Sequence, residues 1–302
     1  MKSSMKYSTG LDIQHEYLTL AQYDPGEHAV TMVAIQPITV SAAASPIEAA
    51  GDDLDSLRSR YKLVSGLINC ALPGDYTILK KLPVDPQEDD VDGALAWELG
   101  QHLVGDVDEY FVDYEPVGKS PDGLQEYLVV ASRREQVDQF TGFLKRHKLV
   151  PGVVDIDLFA LINVFEANYP ELTDRPALIL HAENESARLI MTQKGSYVDH
   201  ETINYDTEID PRTFTEHLQA GTERLLSFTR SRDDGTAIPI FSSGGLFVQP
   251  GFLDAVASAV TTVSQLNPFR KIGCRVGVEE DKLAGYIPQL SVAVGLSLRG
   301  DV

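Results

Sequence analysis

The sequence predicts an α/β protein in two similar parts, with a small α+β lobe inserted in the first, and three observations carry that reading. A β-meander pattern occurs twice, at residues 7–35 and again at residues 177–202. Between them, residues 76–156 run strand–helix–strand–strand–helix–strand, a compact order able to fold as its own lobe. Late in the chain, residues 238–260 (IPIFSSGGLFVQPGFLDAVASAV) read as a buried strand, a glycine turn and an amphipathic helix. At 302 residues there is material for two domains or one large body with ample core.

The first meander opens with Gly10, Leu11, Asp12 and Ile13, turns at residues 14–16, and returns through Tyr17, Leu18, Thr19 and Leu20. Asp24-Pro25-Gly26-Glu27 is a turn signal, and residues 29–35 make a third strand. Residues 41–51 are rich in Ala, Ser and Pro and read as a connector. Asp52 opens a helix with Leu54, Leu57, Tyr61, Val64 and Leu67 at helical spacing. Strands are expected at 68–72 and 76–82, either side of Pro73-Gly74. The acidic run PQEDDVD at 86–92 enters a helix over 91–103 that carries Trp97, the only tryptophan. Strands at 109–116 and 125–131 flank a Gly/Pro/Ser loop at 118–123, and a helix over 133–147 puts Val137, Phe140 and Leu144 on one face. A strand at 153–156 and a helix at 158–168 follow, then a linker at 173–175.

The second meander occupies 177–182, 187–192 and 197–202, and a helix spans 211–230. After the glycine turn Pro250 stands at a plausible first helical position, with Phe252, Val256, Ala259, Val260 and Val263 on an apolar face. PQLSVAVGLSLR at 288–299 is a small-residue helix in which Ala293 and Gly295 permit close packing on a sheet.

The chain is 43% hydrophobic and 23% charged, ordinary for a globular protein. No apolar run spans a bilayer and the start, MKSSMKYSTG, lacks the apolar core of a signal peptide, so no direct membrane insertion is expected. Cys70 and Cys274 are too few and too far apart for a disulfide framework, which favours a reducing cytoplasm. With 45 Asp and Glu against 25 Lys and Arg the net charge is −20, which repels phosphates and anionic lipids. No nucleic acid is expected as a partner, and membrane attachment would run through another protein. A salty habitat or a need for solubility gives the same acidity.

Several residue groups carry no chemistry of their own. His147, His181, His200 and His217 lack metal-ligand spacing, so no metal site is expected. Cys70, followed by Ala71 and Leu72, reads as a core thiol. Glu88, Asp89 and Asp90 suit a helix start favoured by the macrodipole. Trp97 is equally an anchor for a partner or core of the small lobe. Ser242, Ser243, Gly244 and Gly245 can cradle a nucleotide, because paired glycines admit positive φ and close approach. A tight β-to-α connection has the same pattern and is commoner.

Nine stretches, taken in order, are similar to the type IV pilus assembly protein PilM family. That family belongs to the actin-like (actin/Hsp70) ATPase superfamily and is related to the cell-division protein FtsA. The stretches are GLDI at 10–13, ALPGDYTILKKLPV at 71–84, ALAWELGQHL at 94–103, EYFVDYEPV at 109–117 and YLVVASRREQVDQF at 127–140. VVDIDLFALINVFEANY at 153–169, FSSGGLFVQPGF at 241–252, NPF at 267–269 and SVAVGLSLR at 291–299 continue the series over most of the chain. The resemblance implies an actin-like two-domain fold. Domain 1A would take residues 1–85, 149–172 and 288–302, a 1C-type subdomain 86–148, and domain 2 residues 173–287. It further implies a cytoplasmic scaffold, peripheral to the inner membrane, that binds the N-terminal tail of a PilN-like membrane protein in a groove between 1A and 1C. Other pilus inner-membrane components and self-association into a homo-oligomer come with the same resemblance.

The nucleotide positions depart from the family. Where the first phosphate hairpin has glycine after Asp-Ile, this chain has Gln14, then His15 and Glu16. Where the second has Asp-x-Gly, it has His181-Ala182-Glu183, with Glu185 beyond. A carboxylate at a phosphate loop repels the ligand. Subdomain 2B is reduced or absent, vestigial near 203–210, because a helix matching a later family segment starts at Pro211. Asp12 (able to orient a Mg²⁺-bound water), Asp155 on the connecting strand and the turn at 242–245 are retained.

The resemblance therefore implies a degenerate nucleotide set of Asp12, Gln14, Asp155, Ser242, Ser243, Gly244 and Gly245, with no catalytic residue. No cofactor is expected, and ATP with Mg²⁺ enters only if the degenerate cleft is still competent. Glu88, Asp89, Asp90 and Trp97 are the expected partner-binding residues, suited to a tail bearing Arg or Lys. Two alternatives stand beside the scaffold: a nucleotide-switched ATPase of the same family, and a cytoplasmic scaffold of type II secretion. A sugar or acetate kinase is disfavoured, for want of phosphate loops and a catalytic acid.

Overall fold

A computed structural model describes residues 7–38, 46–61, 67–72, 74–229, 237–260, 262–276 and 283–299. In chain order, strands β1 (Ser8–Ile13), β2 (Tyr17–Asp24) and β3 (Ala29–Pro37) are followed by helices α1 (Pro46–Ala49) and α2 (Gly51–Tyr61), then β4 (Leu67–Leu72). Next come β5 (Thr77–Val84), α3 (Val91–Gly100), β6 (Tyr110–Lys119), β7 (Gln125–Arg133) and α4 (Arg134–Arg146). The chain continues through β8 (Val150–Ile156), α5 (Asp157–Asn168), β9 (Ala177–Ala182), β10 (Ser186–Gln193), β11 (Ser196–Asn204) and α6 (Pro211–Thr229). It closes with β12 (Ile240–Ser243), α7 (Phe252–Ala259), β13 (Val263–Gln265), β14 (Gly273–Cys274) and α8 (Ile287–Ser297).

These elements form two compact units, Met1–Ala71 with Leu149–Val302, and Leu72–Lys148. The larger unit contains two sheets of the same plan, ordered β14-β3-β2-β1-β4-β8 and β11-β10-β9-β12-β13. In each, an antiparallel meander is joined through its first strand to a parallel strand, β1 to β4 and β9 to β12. The meander repeat read from the sequence is thus a repeat of sheet topology. The connection from Asn204 to Pro211 holds only a turn, with no strand or helix of its own.

The smaller unit has one sheet, ordered β5-β7-β6. It begins at Leu72, earlier than the expected residue 86, because β5 pairs with β7 along its whole length, from Thr77↔Ser132 to Val84↔Gln125. Leu82, Val84, Leu95, Leu99, Tyr110, Val129 and Ala131 form its core, so α3 covers one face. Successive strand residues face opposite sides, and α4 packs against β7 with Phe140, Phe143 and Leu144 buried.

Several expected boundaries move for local reasons. The helix opening near Asp52 was expected to reach Leu67, yet Leu67 starts β4, and residues 62–66 lie outside the described residues, as do 39–45 of the connector. Helix α3 stops at Gly100, a poor helix former, short of Leu103. Gly251 takes a left-handed φ of 89°, so α7 starts after it and Pro250 stands outside. Val263 is not on that helix face, since it pairs with Ile240 as the start of β13.

Helix α8 packs on β1, β2 and α5. Its small residues matter most at Gly295, where an added Cβ would stand 1.9 Å from the Ala160 carbonyl oxygen. Both partners are helix backbone, which has no rotamer to move away. Gly295→Ala is therefore expected to cost about 1–3 kcal/mol, read as a lower urea midpoint at unchanged slope. An unaltered midpoint would contradict this close approach.

Candidate functional site

Two hairpin mouths face the glycine turn within the larger unit, and they are built alike. Gln14 N–H donates to the Tyr17 carbonyl across the β1–β2 turn at 2.9 Å, and Glu183 N–H donates to the Ser186 carbonyl across the β9–β10 turn at 2.9 Å. Asp12 and His181 are the last residues but one of the equivalent strands, so Gln14 and Glu183 hold matching positions.

At the first mouth Asp12 is buried, and the Gln14 side-chain amide donates to both of its carboxyl oxygens, at 3.0 and 3.2 Å. Burial pushes the Asp12 carboxyl up to about 7, against the Gln14 hydrogen bond, and the charge of Asp157 raises it further. At the second mouth Glu183 Oε1 accepts the Tyr17 hydroxyl at 2.7 Å and the Gly245 N–H at 3.0 Å. Burial raises the Glu183 carboxyl to about 8 in spite of those two bonds. The Tyr205 hydroxyl reaches the Glu183 and Ser186 carbonyl oxygens at 2.5 and 2.9 Å and ties the hairpin down. His181 Nε2 stands 3.4 Å from Glu183 Oε1, and burial lowers this imidazole to about 3, leaving it neutral.

The serines of the turn point into the protein. Ser243 Oγ donates to the Pro288 carbonyl at 3.1 Å, and Ser242 Oγ reaches the Ser264 carbonyl at 3.5 Å. Gly244 has a φ of 102°, and a Cβ there would lie 2.1 Å from the Ala182 carbonyl oxygen. At Gly245 a Cβ would lie 2.8 Å from the Tyr17 ring and 2.9 Å from Glu183 Oε2. Both glycines are needed to bring the turn against the hairpin.

Asp12, Gln14, Ser243, Gly244 and Gly245 thus surround one place, with Tyr17, His181 and Glu183. Asp155 does not join them. Its carboxylate is held by Arg299, through Nε at 2.7 Å and Nη2 at 2.6 Å, and by the Ile156 N–H at 2.9 Å. The acid beside Asp12 is Asp157 instead, paired with Arg188 at 2.5 Å. Sequence reasoning missed this pair. The signal was Arg188 itself, a lone cation inside the apolar strand SARLIMTQ, where burial demands a partner. Cys70 lies in the core, and its Sγ is 3.7 Å from the Val153 carbonyl oxygen.

The partner candidates lie on the smaller unit. Asp90 caps α3 by accepting the Gly93 N–H at 2.9 Å, and Glu88 accepts the Asp90 N–H at 3.1 Å. Trp97 is 69% exposed, so it is surface rather than core. Among the described residues no helix is long and apolar enough to cross a membrane.

Paired meander sheets, each joined in parallel from its first strand, define a protein of the actin-like ATPase fold. A Bacteroides thetaiotaomicron protein with that fold and unknown function is 11% identical, with a TM-score of 0.55 over 89% of this chain and 94% of its own. The family model for the type IV pilus assembly protein PilM matches residues 10–179, and the chain belongs to that family. A PilM–PilN type IV pilus biogenesis complex contains a chain with a TM-score of 0.78 and 21% identity, over 98% of each chain. The cytoplasmic domain of EpsL, an inner membrane component of the Vibrio cholerae type II secretion system, gives 0.53 and 13% over 97% of each. No curated protein matches the sequence.

The fold implies ATP with Mg²⁺ as a ligand, and the residues present do not fit it. Glu183 already holds the Gly245 N–H, and Gln14 covers Asp12.

Proposed function

We propose that this chain is a PilM-like scaffold of the type IV pilus inner-membrane complex, cytoplasmic and held at the membrane by binding the N-terminal tail of a PilN-like membrane protein. Its family supports the pilus role, and the shared fold with a PilM solved beside PilN supports the tail. The observation that carries the reading is the surface of the smaller unit. Thirteen acidic residues and one lysine lie between Asp85 and Glu126. Among them Trp97, Val104, Phe111, Val112, Tyr114 and Val117 are exposed. Strand β6 pairs only with β7 among the described residues, which leaves its outer edge for an added strand. An extended tail would gain affinity from main-chain bonds there and specificity from alternate side chains. The acidic rim would select Lys or Arg and speed association at low salt.

Pull-down and calorimetry with pilus inner-membrane tails test this. Charge reversal at Glu88 and Asp89, with Asp90→Asn to keep the cap on α3, should weaken capture and flatten its salt dependence. Reversal at Asp90 itself would confuse the result, since losing a cap costs about 1 kcal/mol. Trp97→Ala should cost about 2 kcal/mol of binding, as a hot-spot residue does. Unchanged capture after reversal would remove the electrostatic part, and failure of every pilus tail to bind would sink the scaffold reading. The likeness to EpsL favours a second reading, a type II secretion scaffold, which capture of type II segments alone would select.

A further inference from the structure

The two hairpin mouths match in backbone and differ in what their side chains do. Gln14 folds back onto its own strand, where its amide covers Asp12. Glu183 reaches out of its hairpin instead. One oxygen, Oε1, takes the Tyr17 hydroxyl from the first meander and the Gly245 amide from the turn after β12. A carboxylate oxygen and a phosphate oxygen ask for the same thing, N–H and O–H donors at hydrogen-bond distance. The donors at this mouth are therefore an anion seat, and a residue of the chain sits in it.

We propose that Glu183 is the built-in occupant of this seat: its carboxyl group takes the donors a phosphate would use, and links the two meander hairpins without any small molecule. The disagreement between this chain and the ligand its fold implies is then a replacement of ligand by side chain. Two features support that. The seat is shaped around the glutamate, since a Cβ at Gly245 would come within 2.9 Å of Glu183 Oε2. Tethering favours the glutamate further, as an intramolecular group competes at a high effective concentration. This inference does not depend on the scaffold reading, and no partner tail enters its test.

Inorganic phosphate and ATP with Mg²⁺ are the probes, and melting temperature is the first readout. Wild type should show no shift with either at millimolar concentration. Glu183→Ala should melt lower and gain a phosphate-dependent rise that wild type lacks. Glu183→Gln, whose amide oxygen still accepts both bonds, should stay unresponsive. A phosphate response as large in wild type as in Glu183→Ala would overturn the proposal, as would a folded Glu183→Ala that ignores phosphate. Should that variant not fold, wild type alone decides through the Gly245 amide resonance in NMR titrations. A resonance unmoved by both probes supports the internal occupant, and one that shifts on saturable phosphate or ATP binding refutes it.

Discussion

Replacing Asp157 by alanine should destabilise the larger unit by about 3–5 kcal/mol, the cost of breaking a buried ion pair from one side. Asp157 opens α5 at 1% exposure, and Arg188 lies at 5% exposure in the middle of β10. Their 2.5 Å contact joins α5, the helix after β8, to the second meander. Losing the carboxylate takes away the charged group that stands 2.5 Å from this buried guanidinium. Losing the arginine instead removes the cation that holds down the carboxyls of Asp12 and Glu183, so Arg188→Met should be comparably severe. The double variant Asp157→Leu with Arg188→Met should recover much of the loss, because the ion pair is then removed from both sides. Urea midpoints for the two single variants and the double complete the cycle. Single losses below about 1 kcal/mol, within the range of an exposed pair, would show that the contact is solvated and contradict the buried pair.

A fall in melting temperature from mildly acidic to mildly alkaline buffer is the second large effect. Burial raises Asp12 to about 7 and Glu183 to about 8, from ordinary values of 3.8 and 4.5. A carboxyl whose value is raised on folding contributes stability that is full below its unfolded value and is lost as pH climbs through the folded one. His181 works in the opposite sense. Burial lowers it from 6.5 to about 3, so its contribution is lost as pH falls through that interval. The two acids outweigh the one imidazole, and above pH 6.5 it no longer opposes them. The Glu183 side chain keeps 17% of its surface, so solvent moderates its share. Glu183→Gln and Asp12→Asn should each flatten the alkaline limb without moving the acid one. A melting temperature that rises steadily into alkaline buffer, or a limb untouched by both variants, would contradict this account.

Charge is unevenly divided, and this bears on both proposals. The anionic surface concentrates between Asp85 and Glu126, on α3, β6 and their loops, where it is exposed and able to meet a cationic partner. The acids of the larger unit's interior are few, buried and answered by donors. Exposed carboxylates steer and select, whereas buried ones shift their protonation or take a partner. Surface reversal should therefore alter recognition with little change in stability, and interior substitution the reverse.

The sequence by itself determined the strands, most helices and the repeated meander, because hydrophobic period and turn chemistry are local signals. It also determined that the hairpin tips carry Gln14 and Glu183 where a phosphate loop needs glycine, since that is a statement about residue type. Only the tertiary structure decided what those side chains do. A glutamate beside a glycine turn repels an anion if it points outward, and fills the anion's place if Tyr17 and Gly245 turn it inward, yet Tyr17 stands far away in sequence. The same holds for Asp155 and Asp157, two neighbours along the chain. One faces Arg299 and the other Arg188, because the strand ends between them and the helix begins. Trp97 makes the point at the surface. Helical spacing left it equally core or anchor, and the choice fell to which side of α3 the sheet covers, a long-range pairing that no local pattern records.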